Sequence, residues 1–267
     1  MRFVGVDLAW GERNRTGVAR LDGDGVLLDV VSVRTDAEVV DAAALGPDEA
    51  CVVGIDAPLV VTNPTGTRGA ETSLNRDFRA FEAGAHPSNT GLAVFADGPR
   101  GGRVADALGL TPWPAPPSTV HPGPPGRRAV EVYPHAASVA LFRLGRTLKY
   151  KQKQGRELPQ LRSELLRLTT LLEGLATADV PLRLAGREPW EGLVAAVERA
   201  PRKSDLRLAE DQVDAVLCAY VALLVDRAPG TLTQYGDPAQ GTVVTPTLPT
   251  DLEPDRAPRG SRRNSRR

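Results

Sequence analysis

Apolar residues open the chain in three short runs, RFVGVDLAW, TGVARLD and GVLLDVVSV, separated by the polar stretches GERNR and GDG. The runs are rich in residues that favour extended backbone, and Asp-Gly between apolar runs signals a hairpin. Residues 2 to 33 are therefore expected to form a three-stranded antiparallel meander. TDAEVVDAAAL then adopts helical spacing, with Thr35 or Asp36 as N-cap and an end before Gly46 and Pro47. CVVGIDAPL is continuously apolar, the pattern of a strand buried on both faces.

Residues 62 to 128 are less regular. A helix is expected around Ser73 to Glu82, and PWPAPPSTVHPGPPGRR holds enough proline to be a loop or a semi-rigid spacer. AVEVYPHAASVALFRL reads as a strand running into a helix at about Pro134, a residue tolerated in a first helical turn. Residues 157 to 177 and 188 to 199 have helical composition. DLRLAEDQVDAVLCAYVALLVDRA is the most pronounced helix, with Ser204 or Asp205 as N-cap. The order predicts an α/β fold, a mixed sheet flanked by helices. It forms one domain over 1–228, with a long irregular insertion at about 62–128 and a C-terminal extension over 229–267. The extension is nearly free of apolar residues beyond Asp251, and disorder is expected from about there.

Length and composition allow a large core: 267 residues, of which 41% are hydrophobic. Lys plus Arg equals Asp plus Glu, at 33 each, so no global charge points to a polyanion or a membrane surface, and any such site must be local. Cys51 and Cys218 lie in apolar stretches, which argues against a disulfide framework or a zinc site. No basic and apolar signal segment begins the chain, and the longest apolar run, Ala215 to Val225, is too short to span a bilayer. A cytoplasmic protein without a membrane partner is expected.

The candidate chemistry lies in acidic residues placed where apolar segments end. Asp7 closes the first strand, Asp56 closes the CVVGI strand, and Glu131 interrupts AVEVYP. Asp211 and Asp214 stand near the start of the last helix, three apart and so on one face, which continues into Cys218 and Val221. Singly, each has a simple structural explanation: a first-turn acid facing the helix dipole for Asp211, an exposed strand residue for Glu131, a turn residue for Asp56. Together, carboxylates on a buried helix face aimed at strand-end carboxylates repel one another unless cations sit between them. Hard oxygen donors without a His or Cys cluster favour Mg2+ or Mn2+ over zinc. His86, His121 and His135 are scattered and lack metal-ligand spacing.

GVDLAW, GIDAPL, EVYPHA and DQVDAVLCAY resemble, in the same order, the motifs of a domain-of-unknown-function family (number 429) of predicted ribonuclease H-like nucleases. The resemblance runs from residue 2 to about 226. It is also similar to the Holliday-junction resolvase branch of the ribonuclease H-like fold, whose last helix carries Asp-x-x-Asp-Ala. Asp211 and Asp214 match that motif, and Asp7 matches the first-strand Asp. Asp56 stands where the resolvases carry Glu, a ligand shorter by one methylene. Glu131 belongs to the nearer family's pattern only.

The resemblance implies a metal-dependent phosphodiesterase acting on DNA or RNA. Asp7, Asp56, Asp211 and Asp214 would be metal ligands and Glu131 a further catalytic residue. In the two-ion scheme, metals about 4 Å apart activate a water and stabilise the leaving oxygen. Phosphate contacts are expected from Arg68, Arg76 and Arg79, and from Lys149, Lys151 and Lys153 around Tyr150. Two other classes compete. A sugar-kinase or actin-type phosphotransferase also begins with a strand ending in Asp, but such proteins generally use two such halves and a Gly-rich loop. A noncatalytic nucleotide- or partner-binding module would be expected to lose its carboxylates.

Overall fold

Side chains alternate across β1 (Arg2–Asp7), and both sets are buried, so this strand has to be covered on two sides. In the computed structural model, which describes residues 1–11, 13–114 and 126–255, β1 lies inside a six-stranded mixed sheet. The order is β3 (Leu27–Val33), β2 (Thr16–Leu21), β1, β4 (Cys51–Ile55), β6 (Arg127–Glu131) and β5 (Thr111–Pro112). The first three strands form the antiparallel meander the sequence predicts, and β4, β6 and β5 run parallel to β1.

Val4 and Val6, with Val53, Ile55 and Ala129, pack against α1 (Asp36–Ala43) and α3 (Arg100–Ala107). Phe3, Val52 and Val130 belong to the opposite core, under α7 (Lys203–Arg227). Asp7 follows Phe3 and Gly5 on that second face, and Asp56 follows Val52 and Gly54. The period of two thus aims both carboxylates toward α7.

From Val213 to Val225 every residue of α7 is buried, as expected of a helix that is apolar all round. The sheet covers one side, and α4 (Pro134–Leu141), α5 (Leu158–Gly174) and α6 (Glu188–Arg199) cover the rest. Close approach to the sheet depends on missing side chains. A Cβ on Gly5 would stand 1.9 Å from the Ala215 carbonyl oxygen, and one on Gly17 1.9 Å from that of Asp211. Those obstacles are backbone atoms that no rotamer change can move. Gly5→Ala is therefore expected to reduce unfolding free energy by about 3 kcal/mol, the upper end of overpacking costs. Urea unfolding checks this, and an unchanged midpoint would mean that α7 is free to shift.

The last helix begins at Lys203, just before the expected caps, because Arg202 holds Asp205 with two hydrogen bonds of 2.8 and 2.9 Å. Within the insertion, α2 (Gly69–Phe78) starts earlier than expected and ends in a short 3-10 turn, Arg79–Phe81. α3 and β5 occupy a part read as irregular. His121 and most of the proline-rich stretch lie outside the described residues, as does the tail from 256; Asp251 and Asp255, at the start of the part expected to be disordered, pair with Arg143 and Arg146.

In the extension, β7 (Leu232–Asp237) and β8 (Gly241–Pro246) form an antiparallel hairpin, for which the sequence reading named no element. Tyr235, Val243 and Val244 join the core beside α2 and α4. Cys51 and Cys218 are free and buried. No helix among the described residues is long and apolar enough to cross a membrane.

Candidate functional site

Asp7 ends β1, and the residue after β4, Asp56, donates its backbone N–H to the Val6 carbonyl at 2.8 Å. This bond fixes the two carboxylates side by side, within hydrogen-bonding reach of each other, at the C-terminal ends of adjacent parallel strands. Ligand sites of α/β sheets commonly form at such strand ends. The first turns of α7 add Glu210, Asp211 and Asp214. Glu210 and Asp214 are buried, and four residues apart they share a face. The structure thus brings together four of the five expected acids.

A lysine stands among them. Lys151 Nζ lies 2.6 Å from Asp214 Oδ2, 3.5 Å from Asp7 Oδ2 and 3.7 Å from Glu210 Oε1. The approach to Asp214 Oδ2 is an ion pair without hydrogen-bond alignment, and that fully buried oxygen has no hydrogen-bond donor. Oδ1 of the same carboxylate accepts a 2.7 Å hydrogen bond from the Tyr150 hydroxyl. One ammonium faces five carboxyl groups, and the imbalance shows in their acidities.

Burial, only partly countered by Lys151 and reinforced by Asp214, pushes Asp7 up to about 6. Burial and then Asp7 raise Asp211 to about 7. Burial also raises Glu210 to about 8, against the pull of Lys151. Asp56 is held well above the carboxylate range by burial and by Asp7. For Lys151 itself, burial would favour loss of the proton, but Asp214 and Asp7 outweigh it and keep the ammonium charged.

A carboxyl group whose folded pKa is raised stabilises the fold below its unfolded pKa and loses that contribution as pH climbs through the folded value. For Asp7, Asp211 and Glu210 the window runs from about pH 4 to 8. In chelator, the protein is expected to lose a few kcal/mol of stability between pH 5.5 and 8.5. Chemical denaturation at both values measures it, and a flat profile would contradict the crowding.

Glu131 is the expected acid that does not join. It pairs in register with Ile55, so it points to the sheet face opposite Asp7 and Asp56. There Arg68 donates to both its oxygens, at 2.5 and 3.0 Å, and the Leu59 N–H donates at 3.0 Å. Burial raises the Glu131 pKa, with Arg68 opposing. Arg68 also binds Glu71 at 2.9 Å and is 3% exposed, so it differs from the solvent-facing phosphate contact expected of it.

Arg76 and Arg79 are exposed on α2 and in the turn after it, away from the residues lining the clefts described here. Lys149 pairs with Glu82. Tyr150 is completely buried and cannot stack on a base as its basic neighbours suggested.

Above the acids opens a cleft of about 700 Å³, lined by Asp7, Asp56, Glu210 and Asp211 and rimmed by Arg15, Lys153, Lys203, Arg207 and Trp10. Apart from Lys153, these cations escaped the sequence reading. They come from three separate segments, the loop after β1, the stretch after Tyr150 and the start of α7, and form no run. Glu210 had a legible signal, its spacing of four from Asp214.

A family model described as "Protein of unknown function (DUF429)" matches residues 5–240. The chain belongs to the DUF429 family. Every acid of the cleft falls inside the matched span, as do Lys151 and Arg68, whereas the Arg-rich tail falls outside it. Searches of curated proteins and of solved structures find no match.

Among the described residues, no group of three or more His, Cys, Asp or Glu side chains is arranged to hold a metal ion. The nearest approach to one, in this DUF429 chain, has Lys151 at its centre. In donor type and charge the residues fit a hard divalent cation: carboxylate oxygens only, more of them than one lysine neutralises, and a buried Asp214 oxygen without a donor. In arrangement they are closed around an ammonium.

Proposed function

We propose that this chain is a metal-dependent phosphodiesterase acting on nucleic acid, with a core related to the ribonuclease H-like fold. The observation that carries the reading is a floor of mutually repelling carboxylates beneath a rim of cations. The floor suits a divalent ion, and the rim suits the phosphates on either side of a scissile bond. Asp7, Asp56, Asp211 and Asp214, with Glu210, would hold Mg2+ or Mn2+ in exchange for the Lys151 ammonium. Such an ion, when bound, supplies Lewis acidity toward a phosphoryl oxygen and makes water more acidic.

The other roles belong to the chain. Arg15, Lys153, Lys203 and Arg207 attract and orient the backbone of the substrate. Asp211 lines the cleft beside Asp7 and belongs with the acids that would hold the ion. Glu131 and Arg68 act from behind, by fixing the loop after β4 through the Leu59 and Val60 backbone.

A second reading has its own observation. Lys151 already occupies the centre of the acids, which favours a noncatalytic nucleotide- or partner-binding module over a sugar-kinase type of phosphotransferase. Incubation of the purified chain with single-stranded and duplex DNA and RNA, in chelator and in magnesium or manganese, separates the readings. Cleavage that requires the ion and rises in Mn2+ or Mg2+ is expected. Intact substrates under every condition would leave the binding module.

A further inference from the structure

A second cavity, of about 470 Å³, lies against the first. Trp10, Asp56, Lys151 and Lys153 line both, so the irregular segment from Lys149 to Arg156 acts as a partition between them. Its chemistry differs from that of the acidic cleft. Tyr133 and His135, each half-buried, form an aromatic wall with ring centroids 5.7 Å apart at 84°, and Tyr150 backs His135 at 5.6 Å. The His135 ring is held by Thr147 through Nδ1 at 3.1 Å, and burial, followed by the charge of Lys151, pushes its pKa down to about 4. A neutral, oriented imidazole results. Trp10 is half-exposed at the mouth, its ring beside Phe95. Lys153, Arg156 and Lys149, the last paired with Glu82, line the partition side, and Glu71 and Glu131, both held by Arg68, also line the cavity.

We infer that this cavity receives one unpaired nucleobase of the strand whose adjoining phosphate lies over the carboxylates, so that the substrate class is a single-stranded or locally opened nucleic acid. The inference rests on the phosphodiester reading of the acidic cleft and adds to it the form of the substrate. Size, lining and position each bear on the choice. A volume of this order suits one small organic group and is far too small for stacked base pairs. Aromatic side chains with a fixed neutral imidazole offer a face for stacking and ring nitrogens for a base edge, and the cations at the partition match flanking phosphates. Direct adjacency to Asp56 and Lys151 means that a base here leaves its own backbone beside the acids. A duplex base could reach the cavity only by leaving its stack, which costs a few kcal/mol.

Fluorescence anisotropy in chelator, with a short fluorescein-labelled DNA single strand and the blunt duplex of the same sequence, tests the inference without hydrolysis. The single strand is expected to bind about tenfold more tightly than the duplex. Trp10→Ala and His135→Ala should each weaken the single strand about tenfold and leave the duplex unchanged, in line with the loss of one base–aromatic contact. Trp10 is exposed enough that its replacement leaves the fold intact, and His135→Phe, which keeps a ring face, should retain most of the binding. Competition by thymidine monophosphate at an affinity similar to that of the strand would name a free nucleotide as the source of the base, whereas weak competition would name the polymer.

Equal affinity for strand and duplex, or variants that bind the strand like wild type, would overturn the base cavity. Metal-dependent hydrolysis seen alongside that result would leave the parent reading standing. Strand preference lost on Trp10→Ala but without hydrolysis in any ion would support the cavity and remove the phosphodiesterase.

Discussion

Asp7→Asn is expected to lower metal-dependent hydrolysis on the order of 10³-fold while the protein stays folded, since removing one well-placed electrostatic contributor costs about this much. The amide keeps the shape of the carboxylate at the end of β1 and removes only its charge. Asp7 is 9% exposed and packed on the α7 side of the sheet, where the strand register fixes its position. Its ion pair with Lys151 is a long one, 3.5 Å. Asp214→Asn should lower hydrolysis comparably. Its Oδ1 keeps the Tyr150 hydrogen bond, and Lys151 retains Glu210 and Asp7 as partners. Initial rates at saturating manganese measure both. Activity within a few fold of wild type in either variant would remove the acids from the reaction.

Arg68→Met should reduce unfolding free energy by about 3–5 kcal/mol, the usual result of stripping one partner from a buried ion cluster. Every part of this guanidinium is engaged: Glu71 at 2.9 Å, the Val60 carbonyl at 2.9 Å, and Glu131 at 2.5 and 3.0 Å. Glu71 and Glu131 are 1% and 4% exposed and would be left buried without a counter-charge, keeping only backbone N–H donors. Arg68→Lys should rescue little, because a single ammonium cannot span two carboxylates and a carbonyl in a forked arrangement. Adding Glu131→Gln to Arg68→Met should recover part of the loss, since it neutralises one of the stranded charges. Denaturant melts of the three variants give these values. A near-wild-type Arg68→Met would restore Arg68 as a surface residue free to meet phosphate.

Much of the scaffold was legible from pattern alone. The meander over 2–33 and the strand at CVVGI follow from apolar runs bounded by Asp-Gly and by turn residues. The helix after Thr35 follows from its N-cap and helical spacing, and the structure adds a capping box, in which Thr35 accepts from the Glu38 N–H and Glu38 accepts from the Thr35 N–H. The hairpin over 232–246 was harder to see, because its apolar content is confined to Leu232, Tyr235 and TVVTP and its turn sits among polar residues. Its stability comes from packing on α2 and α4, which local sequence does not encode.

For the site, strand parity decided more than residue type. Asp7 and Asp56 stand in step with Phe3 and Val52, whereas Glu131 stands in step with Ala129 and Ile55 and so points to the other face. That assignment needed the register between β4 and β6, a long-range property. Lys151 is further removed from sequence reading. Among LKYKQKQGR nothing distinguishes it from Lys149 or Lys153, and only the path of the segment across the mouth of the sheet places its ammonium against Asp214.

The central claim is that the acids are poised for a divalent cation and strained without one. Thermal melts of wild type and Asp7→Asn near pH 8, in chelator and in millimolar manganese, test it most directly. Wild type should melt at a higher temperature in manganese, by an increment that grows with free ion as RT ln(1 + [L]/Kd). Asp7→Asn should melt above wild type in chelator, because an ionised Asp7 is disfavoured in the fold at that pH, and should gain nothing from the ion. A wild-type melt indifferent to manganese, together with an Asp7→Asn variant less stable than wild type in both buffers, would make Asp7 a structural partner of Lys151 and contradict the account.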